Sequence, residues 1–184
     1  RVTTKRPCGG ARQSVLEGET IEFMISTNPP ARYKIEVFRT GYYGGRGARL
    51  MTTLGPFQGA PQPEPAVEER RRVECRWQPG SALKIPSNWV SGVYLGRLTT
   101  LPDNSDQPYW QSYVVFIVRD DRPADILFQC SDNTWQAYNR WPGSHSLYDN
   151  GQPGMTSTPD VEVSFDRPYG KYRQIYDNPQ STGS

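Results

Sequence analysis

Hydrophobic and polar residues alternate with a period of two in several stretches of the first two thirds of the chain. Because successive side chains of a strand point to opposite faces of a sheet, this alternation predicts half-buried strands. Gly-, Pro- and Asn-rich turn sequences separate the stretches, and the Gly44-Gly45 pair is predicted to close a hairpin. The pattern predicts an antiparallel β-sandwich of immunoglobulin-like size over residues 1–119. The predicted strands are residues 20–26, 33–39, 93–99 and 111–118, with shorter ones at 48–53 and 73–77.

Two other features complete this first region. Residues 55–69 are rich in proline and acidic residues, which predicts a loop at the edge of the sandwich. Residues 119–123 form a charged hinge that ends in a proline, and the pattern changes after it.

The second region, residues 120–184, has a different signature. Residues 126–128 are apolar at every position, which is typical of an interior strand of a parallel sheet. Residues 161–165 read as another short strand. The fold class predicted for the whole chain is therefore mainly β: a sandwich followed by the first strand and helix units of an incomplete α/β domain.

A short helix is predicted over residues 134–141, with Asp132 or Asn133 as its cap and Pro142 as its stop. In open α/β sheets, binding sites form beyond the carboxyl ends of strands. Any chemistry in this chain is therefore expected to begin at about Cys130.

The second region is too small to bury a core of its own, because it offers one or two strands and one helix. It is expected to pack against the sandwich, another chain, or a continuation of this one.

Charge and composition narrow the function classes. The formal net charge is +2, and the densest basic cluster, Arg70 to Arg72, directly follows two glutamates. A nucleic-acid partner would need a basic face with interleaved aromatics, so none is predicted. No membrane span is predicted either, since residues 114–118 are the longest aliphatic-rich run and a membrane helix needs about 20 apolar residues.

Cysteine and histidine usage leaves several alternatives open. Of the three cysteines, Cys8 and Cys75 could form a disulfide in an exported protein or remain buried thiols, and Cys130 is predicted to be a packing residue. The single histidine, His145, cannot build a multi-histidine metal site. A chain that starts at Arg1 suggests a removed leader or a piece of something longer, so an exported, periplasmic location and a cytoplasmic one both stay open.

Four segments carry a family resemblance: TGYYGGRGARLM (40–51), SGVYLGRL (91–98), YVVFIVRDDRPADILFQCSDNTWQAYNRW (113–141) and SFDRPYGKY (164–172). They resemble the large, catalytic subunit of N,N-dimethylformamidase. The resemblance implies a sandwich followed by an α/β domain similar to class I glutamine amidotransferases. It also implies a mononuclear iron held by two tyrosinates and a glutamate, with a histidine nearby.

Carried over to this sequence, the resemblance assigns Tyr138 as one metal ligand. Tyr169 is the choice for the second, with Tyr148 as its competitor. Residues around them are expected to orient the ligands or line the substrate pocket, although those before the helix could equally serve only as caps. They are Asp132, Asn133, Thr134, Trp135 and Asn139.

The chain also departs from the family pattern, because the glutamate and histidine motif is missing. The expectation is therefore an amidohydrolase piece, arising by processing or as a subunit, whose site a partner chain completes in a higher oligomer. Its substrate would be a small linear amide, and the catalytic residues are unknown. One rival hypothesis is a non-catalytic sandwich module that binds carbohydrate or protein through exposed Trp77, Trp89 and Trp110. A second rival is an enzyme of the same fold that uses a different metal, or a modified Tyr or Cys, in place of iron.

Overall fold

The computed structural model describes residues 2–5, 13–103, 109–142, 145–147 and 162–169. These residues form eight strands and one α-helix, α1 (Asp132–Tyr138). The strands are β1 (Val2–Lys5), β2 (Ser14–Leu16), β3 (Thr20–Thr27), β4 (Arg32–Thr40), β5 (Ala48–Gln58), β6 (Pro79–Lys84), β7 (Gly92–Leu101) and β8 (Gln111–Arg119).

The strands build two sheets, and this confirms the predicted mainly β fold with a sandwich. One sheet has the order β1-β3-β6, and the other has the order β2-β8-β7-β4-β5. Pairing is antiparallel except between β2 and β8, which run parallel. The predicted antiparallel sandwich is therefore confirmed, with one parallel pair at the β2 edge.

The predicted hairpin between β4 and β5 is confirmed. The two strands pair antiparallel from Arg32–Gln58 to Thr40–Ala48, and a 3₁₀ turn, Tyr43–Gly45, lies at the tip. Gly44 and Gly45 both have positive φ, of 67° and 86°, which glycine adopts at little cost. A glycine pair suits this turn for that reason.

The main core lies between the two sheets and follows the period-two pattern. Tyr33, Ile35 and Val37 of β4 are buried, and the residues between them are not. Across the core, the Tyr94 ring stacks between Trp89, at 4.9 Å and 3°, and Phe116, at 5.5 Å. Burying side chains of this size contributes about 1.5–3 kcal/mol each, so this core is the main source of stability of the sandwich.

A second hydrophobic cluster lies beside the first and corrects one strand prediction. Residues 73–77 form no strand. Their alternation nevertheless reflects burial, because Val73, Cys75 and Trp77 pack together with Met24 and Trp141. A strand that the sequence did not predict, β6, pairs with β3. Its Pro79-Gly80 start disguised it, since both residues are poor strand formers.

The strand predictions for the second region are wrong in the described residues. Ile126, Leu127 and Phe128 have no regular structure and are 86%, 92% and 78% exposed. Residues 162–165 are likewise not a strand, and Val161 lies outside the described residues. An apolar triplet is suited to an interior strand, but a strand also needs a neighbouring strand to pair with. The described residues supply no such neighbour for residues 126–128.

The predicted helix exists but begins and ends earlier. Helix α1 starts after the N-cap Ser131, rather than after Asp132 or Asn133, and Asn139 is its C-cap. The helix ends at Tyr138, four residues before Pro142, because the Asn139 backbone is extended, with φ −68° and ψ 115°. Asp132 lies in the first turn, where its negative charge favours the positive end of the helix dipole.

The second region packs against the sandwich, which is one of the three possibilities its small size left open. The Trp141 and Trp77 rings meet edge to face, with centroids 6.2 Å apart. The Cys75 amide donates to the Asp166 carbonyl at 2.8 Å, and the Ser164 hydroxyl donates to the Glu74 carboxylate at 3.1 Å. The division into domains at residues 119 and 120 stays a prediction.

Two remaining expectations concern cysteine and the membrane. Cys8 lies outside the described residues, so its bridge to the buried Cys75 stays a prediction, and Cys130 is half-buried. In the described residues, no helix is long and apolar enough to cross a membrane.

Burial raises the pKa of Tyr33 and of Tyr94 above the ordinary phenol value of about 10. Both phenols must stay neutral in the core, so their contribution to stability is complete below about pH 10 and is lost as the pH rises through their folded pKa values.

We expect an alkaline titration followed at 295 nm to show a late phase that coincides with unfolding by circular dichroism. Tyr33→Phe combined with Tyr94→Phe should remove this phase, whereas Tyr42→Phe, at an exposed position, should not. Ionisation of all tyrosines near pH 10 in a folded protein would contradict the assignment.

Candidate metal and amide site

Helix α1 presents two faces with different roles. Gln136 and Ala137 are buried, while Trp135 and Tyr138 are 40% and 51% exposed. Tyr138 is the last helical residue, so its phenol stands at the carboxyl end of α1 on the accessible side. The helix is therefore anchored by one face and offers aromatic side chains on the other.

Asn139 fixes the end of this helix to the segment that carries the second candidate ligand. Its buried amide Nδ2 donates to the Gln136 Oε1 at 3.0 Å and to the Pro168 carbonyl at 2.8 Å. Its Oδ1 accepts from the Trp141 amide at 3.2 Å. Asn139 directly follows Tyr138 and Pro168 directly precedes Tyr169, so a single hydrogen bond joins the neighbours of the two tyrosines.

Arg167 holds the same region from the opposite side and is only 1% exposed. Its guanidinium donates to the Gln136 carbonyl at 2.9 Å, the Trp141 carbonyl at 3.0 Å and the His145 carbonyl at 2.5 Å. Its Nε donates to the Ser164 carbonyl at 3.0 Å. A cation near the carboxyl end of α1 also faces the negative end of the helix dipole.

Sequence reasoning missed Arg167 and Gln136 as parts of this site. Arginine is seldom fully buried, so nothing in the local pattern marks Arg167 as a core residue. The Gln136 Nε2 is buried and has no hydrogen-bond partner in the described part of the chain. This donor lies on the anchored face of α1, whereas Tyr138 lies on the exposed face.

The other predicted site residues lie along or beside α1. Asn133 and Thr134 are exposed and Asp132 is half-buried. Their roles as ligand-orienting or pocket residues stay predictions. Tyr169 is half-buried, and Tyr148, its competitor, lies outside the described residues. His145 bonds through its backbone: its amide donates to the Arg140 carbonyl at 3.1 Å.

The assignment of Tyr138 and Tyr169 as metal ligands stays a prediction. Two phenol oxygens are hard donors of the kind that trivalent iron binds. Among the described residues, no group of three or more His, Cys, Asp or Glu side chains could hold a metal. Two cavities in the described structure, of about 360 and 280 Å³, are lined by sandwich residues and by none of the predicted site residues.

The aromatic residues of the rival binding module are not exposed. Trp77 and Trp89 are 6% and 8% exposed, and Trp110 packs partly buried against the main core. Their rings serve packing, so the predicted exposed aromatic platform is wrong at the two buried positions.

A protein-family model described as "N,N-dimethylformamidase beta subunit-like, C-terminal" matches residues 34–183. The chain belongs to this family. The match confirms the resemblance drawn from the sequence motifs. It covers most of the sandwich together with α1, Tyr138 and Tyr169.

The other comparisons add little to this family assignment. No curated protein sequence matches the chain. A solved structure of the cellulose-active LPMO CelS2 in complex with copper is 19% identical to this chain. The match covers 58% of this chain, with a TM-score of 0.34. The chain covers 52% of that structure, about half its length, and so low a score supports no argument about copper or cellulose here.

Arg167→Lys should loosen α1 and the segments joined to it without unfolding the sandwich. A lysine keeps the charge but cannot reproduce the fork of donors that reaches several carbonyls, so we expect a loss of about 2–3 kcal/mol of local stability. Hydrogen exchange of the α1 amides would measure it.

The matched control is Arg97→Lys, since Arg97 pairs with Glu36 at 3.0 Å on the sandwich surface and its loss should cost under about 1 kcal/mol. Equal exchange rates for α1 in both variants would show that Arg167 does not position the helix.

Proposed function

We propose that this chain is a subunit or segment of a metal-dependent amidohydrolase that cleaves the C–N bond of small linear amides. It would supply Tyr138 and Tyr169 as phenolate ligands. Family membership supports the dimethylformamidase relationship. The observation that carries the finer proposal is the Asn139–Pro168 hydrogen bond, which ties together the two segments that end and begin at these tyrosines.

A trivalent iron, when bound, would supply Lewis acidity that polarises an amide carbonyl or lowers the pKa of water. Tyr138 and Tyr169 would hold it as oxygen donors, because bound cations stabilise the deprotonated form of a ligand.

Positioning is the function best supported for the residues around the tyrosines. Asn139 fixes the last turn of α1, and Arg167 fixes the carbonyls at its carboxyl end. Such outer partners determine where a ligand atom points, and their loss typically lowers metal affinity about 10- to 100-fold.

The remaining ligand and the catalytic acid or base would come from a partner chain, in keeping with a family described as subunit-like. Exposed Ile126, Leu127 and Phe128 provide apolar surface next to α1 that such a partner could cover. The amide substrate and the higher oligomer belong to this proposal.

Tyr138→Phe and Tyr169→Phe test the ligand assignment in the intact assembly. Phenolate bound to trivalent iron absorbs visible light, so the wild-type assembly should be coloured and contain iron. Each variant should lose or strongly shift the visible band, and amide hydrolysis should fall by at least about 100-fold. Metal content and the visible spectrum are the readouts, which separate the ligand role from activity alone.

Tyr42→Phe, at the exposed β4–β5 hairpin, should leave both readouts unchanged. Tyr148→Phe tests the competitor: loss of the band in this variant, with retention in Tyr169→Phe, would transfer the second position to Tyr148. A colourless, metal-free assembly that still hydrolyses amides would overturn the iron proposal.

A further inference from the structure

The β4–β5 hairpin places two arginines side by side. Arg39 of β4 and Arg49 of β5 are direct cross-strand partners, so their side chains lie on the same face of the sheet. Arg39 is also the cross-strand partner of Tyr94, which is buried in the main core. Both arginines therefore lie on the core-facing side, at the open end of the sandwich.

Two like charges opposite each other on neighbouring strands destabilise a sheet. The same strand shows the usual opposite-charge arrangement three residues earlier, where Glu36 lies opposite Arg97 and pairs with it at 3.0 Å. Neither Arg39 nor Arg49 has an ion pair with any carboxylate in the described part of the chain. The hairpin thus retains an electrostatic cost that an anion would remove.

Arg39 is held in a fixed orientation rather than left to move in solvent. One terminal nitrogen donates to the Tyr43 hydroxyl at 2.6 Å, and the other donates to the Ser91 carbonyl at 2.8 Å. Its Nε is buried and has no hydrogen-bond partner among the residues that are described. Gly92 allows this placement, because a Cβ there would come within 3.1 Å of the Arg39 Nε.

A cavity of about 280 Å³ lies between the two arginines. Polar groups of Arg39, Arg49, Tyr43 and Asn88 line it, and its apolar walls are Leu50, Met51, Trp89 and Val90. Trp89 is fixed by its stack on Tyr94, so this wall belongs to the rigid core. Two guanidiniums and an apolar wall match a ligand that carries a carboxylate on an apolar body.

We propose that this cavity, at the tip of the sandwich and separate from the tyrosine site, binds a carboxylate whose apolar part rests on Met51, Trp89 and Val90. The carboxylate lies between Arg39 and Arg49 and removes their repulsion. The ligand is a small organic acid or an acidic side chain of a partner protein, since both present the same chemistry. This site does not depend on the amidohydrolase proposal.

Benzoate is the first probe, titrated at constant ionic strength and followed by calorimetry and by the NMR signals of the arginine Nε–H groups. We expect saturable binding at least about tenfold tighter than that of acetate or inorganic phosphate, because only benzoate uses the apolar wall. Arg49→Gln should weaken benzoate binding at least about tenfold. This variant should fold well, since it removes a like-charge pair from an exposed position.

The matched control is Arg46→Gln, because Arg46 is an exposed cation of the same hairpin that does not line the cavity. It should bind benzoate like the wild type. Equal weakening in Arg46→Gln and Arg49→Gln would indicate nonspecific attraction and overturn the proposal, as would phosphate binding as tightly as benzoate or the absence of saturable binding. A blocked glutamate peptide distinguishes the two possible sources of the carboxylate. If the peptide binds more tightly than benzoate, the site takes an acidic side chain of a protein, and if benzoate binds more tightly, it takes a small acid. Both outcomes support a carboxylate site.

Discussion

A buried guanidinium in a neutral surrounding is costly unless its donors are used, and Arg167 meets this constraint by bonding to backbone carbonyls. The acceptors belong to Gln136, Trp141, His145 and Ser164, which lie far apart along the chain. One side chain therefore connects the end of α1, the turn that follows it and the segment that carries Tyr169. Since this region contains little regular structure, these bonds replace the ladder of a sheet as the source of its order.

The region that Arg167 organises has little apolar volume of its own and depends on the sandwich for a core. Trp141 supplies the contact, because it completes a cluster with Met24, Val73, Cys75 and Trp77. The backbone bond from Cys75 to Asp166 lies beside that cluster. Packing and hydrogen bonding thus fix the tyrosine-bearing segments to the rigid sandwich.

Electrostatics distinguish two kinds of arginine in this molecule. Arg72, Arg97 and Arg122 each pair with a nearby carboxylate, and in Asp120 the hydrogen bond from Arg122 lowers the carboxyl pKa. Arg39 and Arg49 face each other across a cavity instead. Arg39 and Arg49 thus differ from these three arginines, because neither has a carboxylate partner among the described residues.

The sequence by itself determined five of the eight described strands, the hairpin at Gly44-Gly45, the family and the existence of a helix near Tyr138. Each of these depends on local information: side-chain alternation, the conformational freedom of glycine, or contiguous motifs. The apolar triplet at residues 126–128 misled for the same reason, because alternation and hydrophobicity do not identify the neighbour that a strand needs. Only the tertiary structure decided that residues 73–77 belong to a second core, that Arg167 is buried, and that Asn139 joins α1 to Pro168. These features result from contacts between residues distant in sequence, and no local pattern encodes which distant group will complete a hydrogen bond or fill a core.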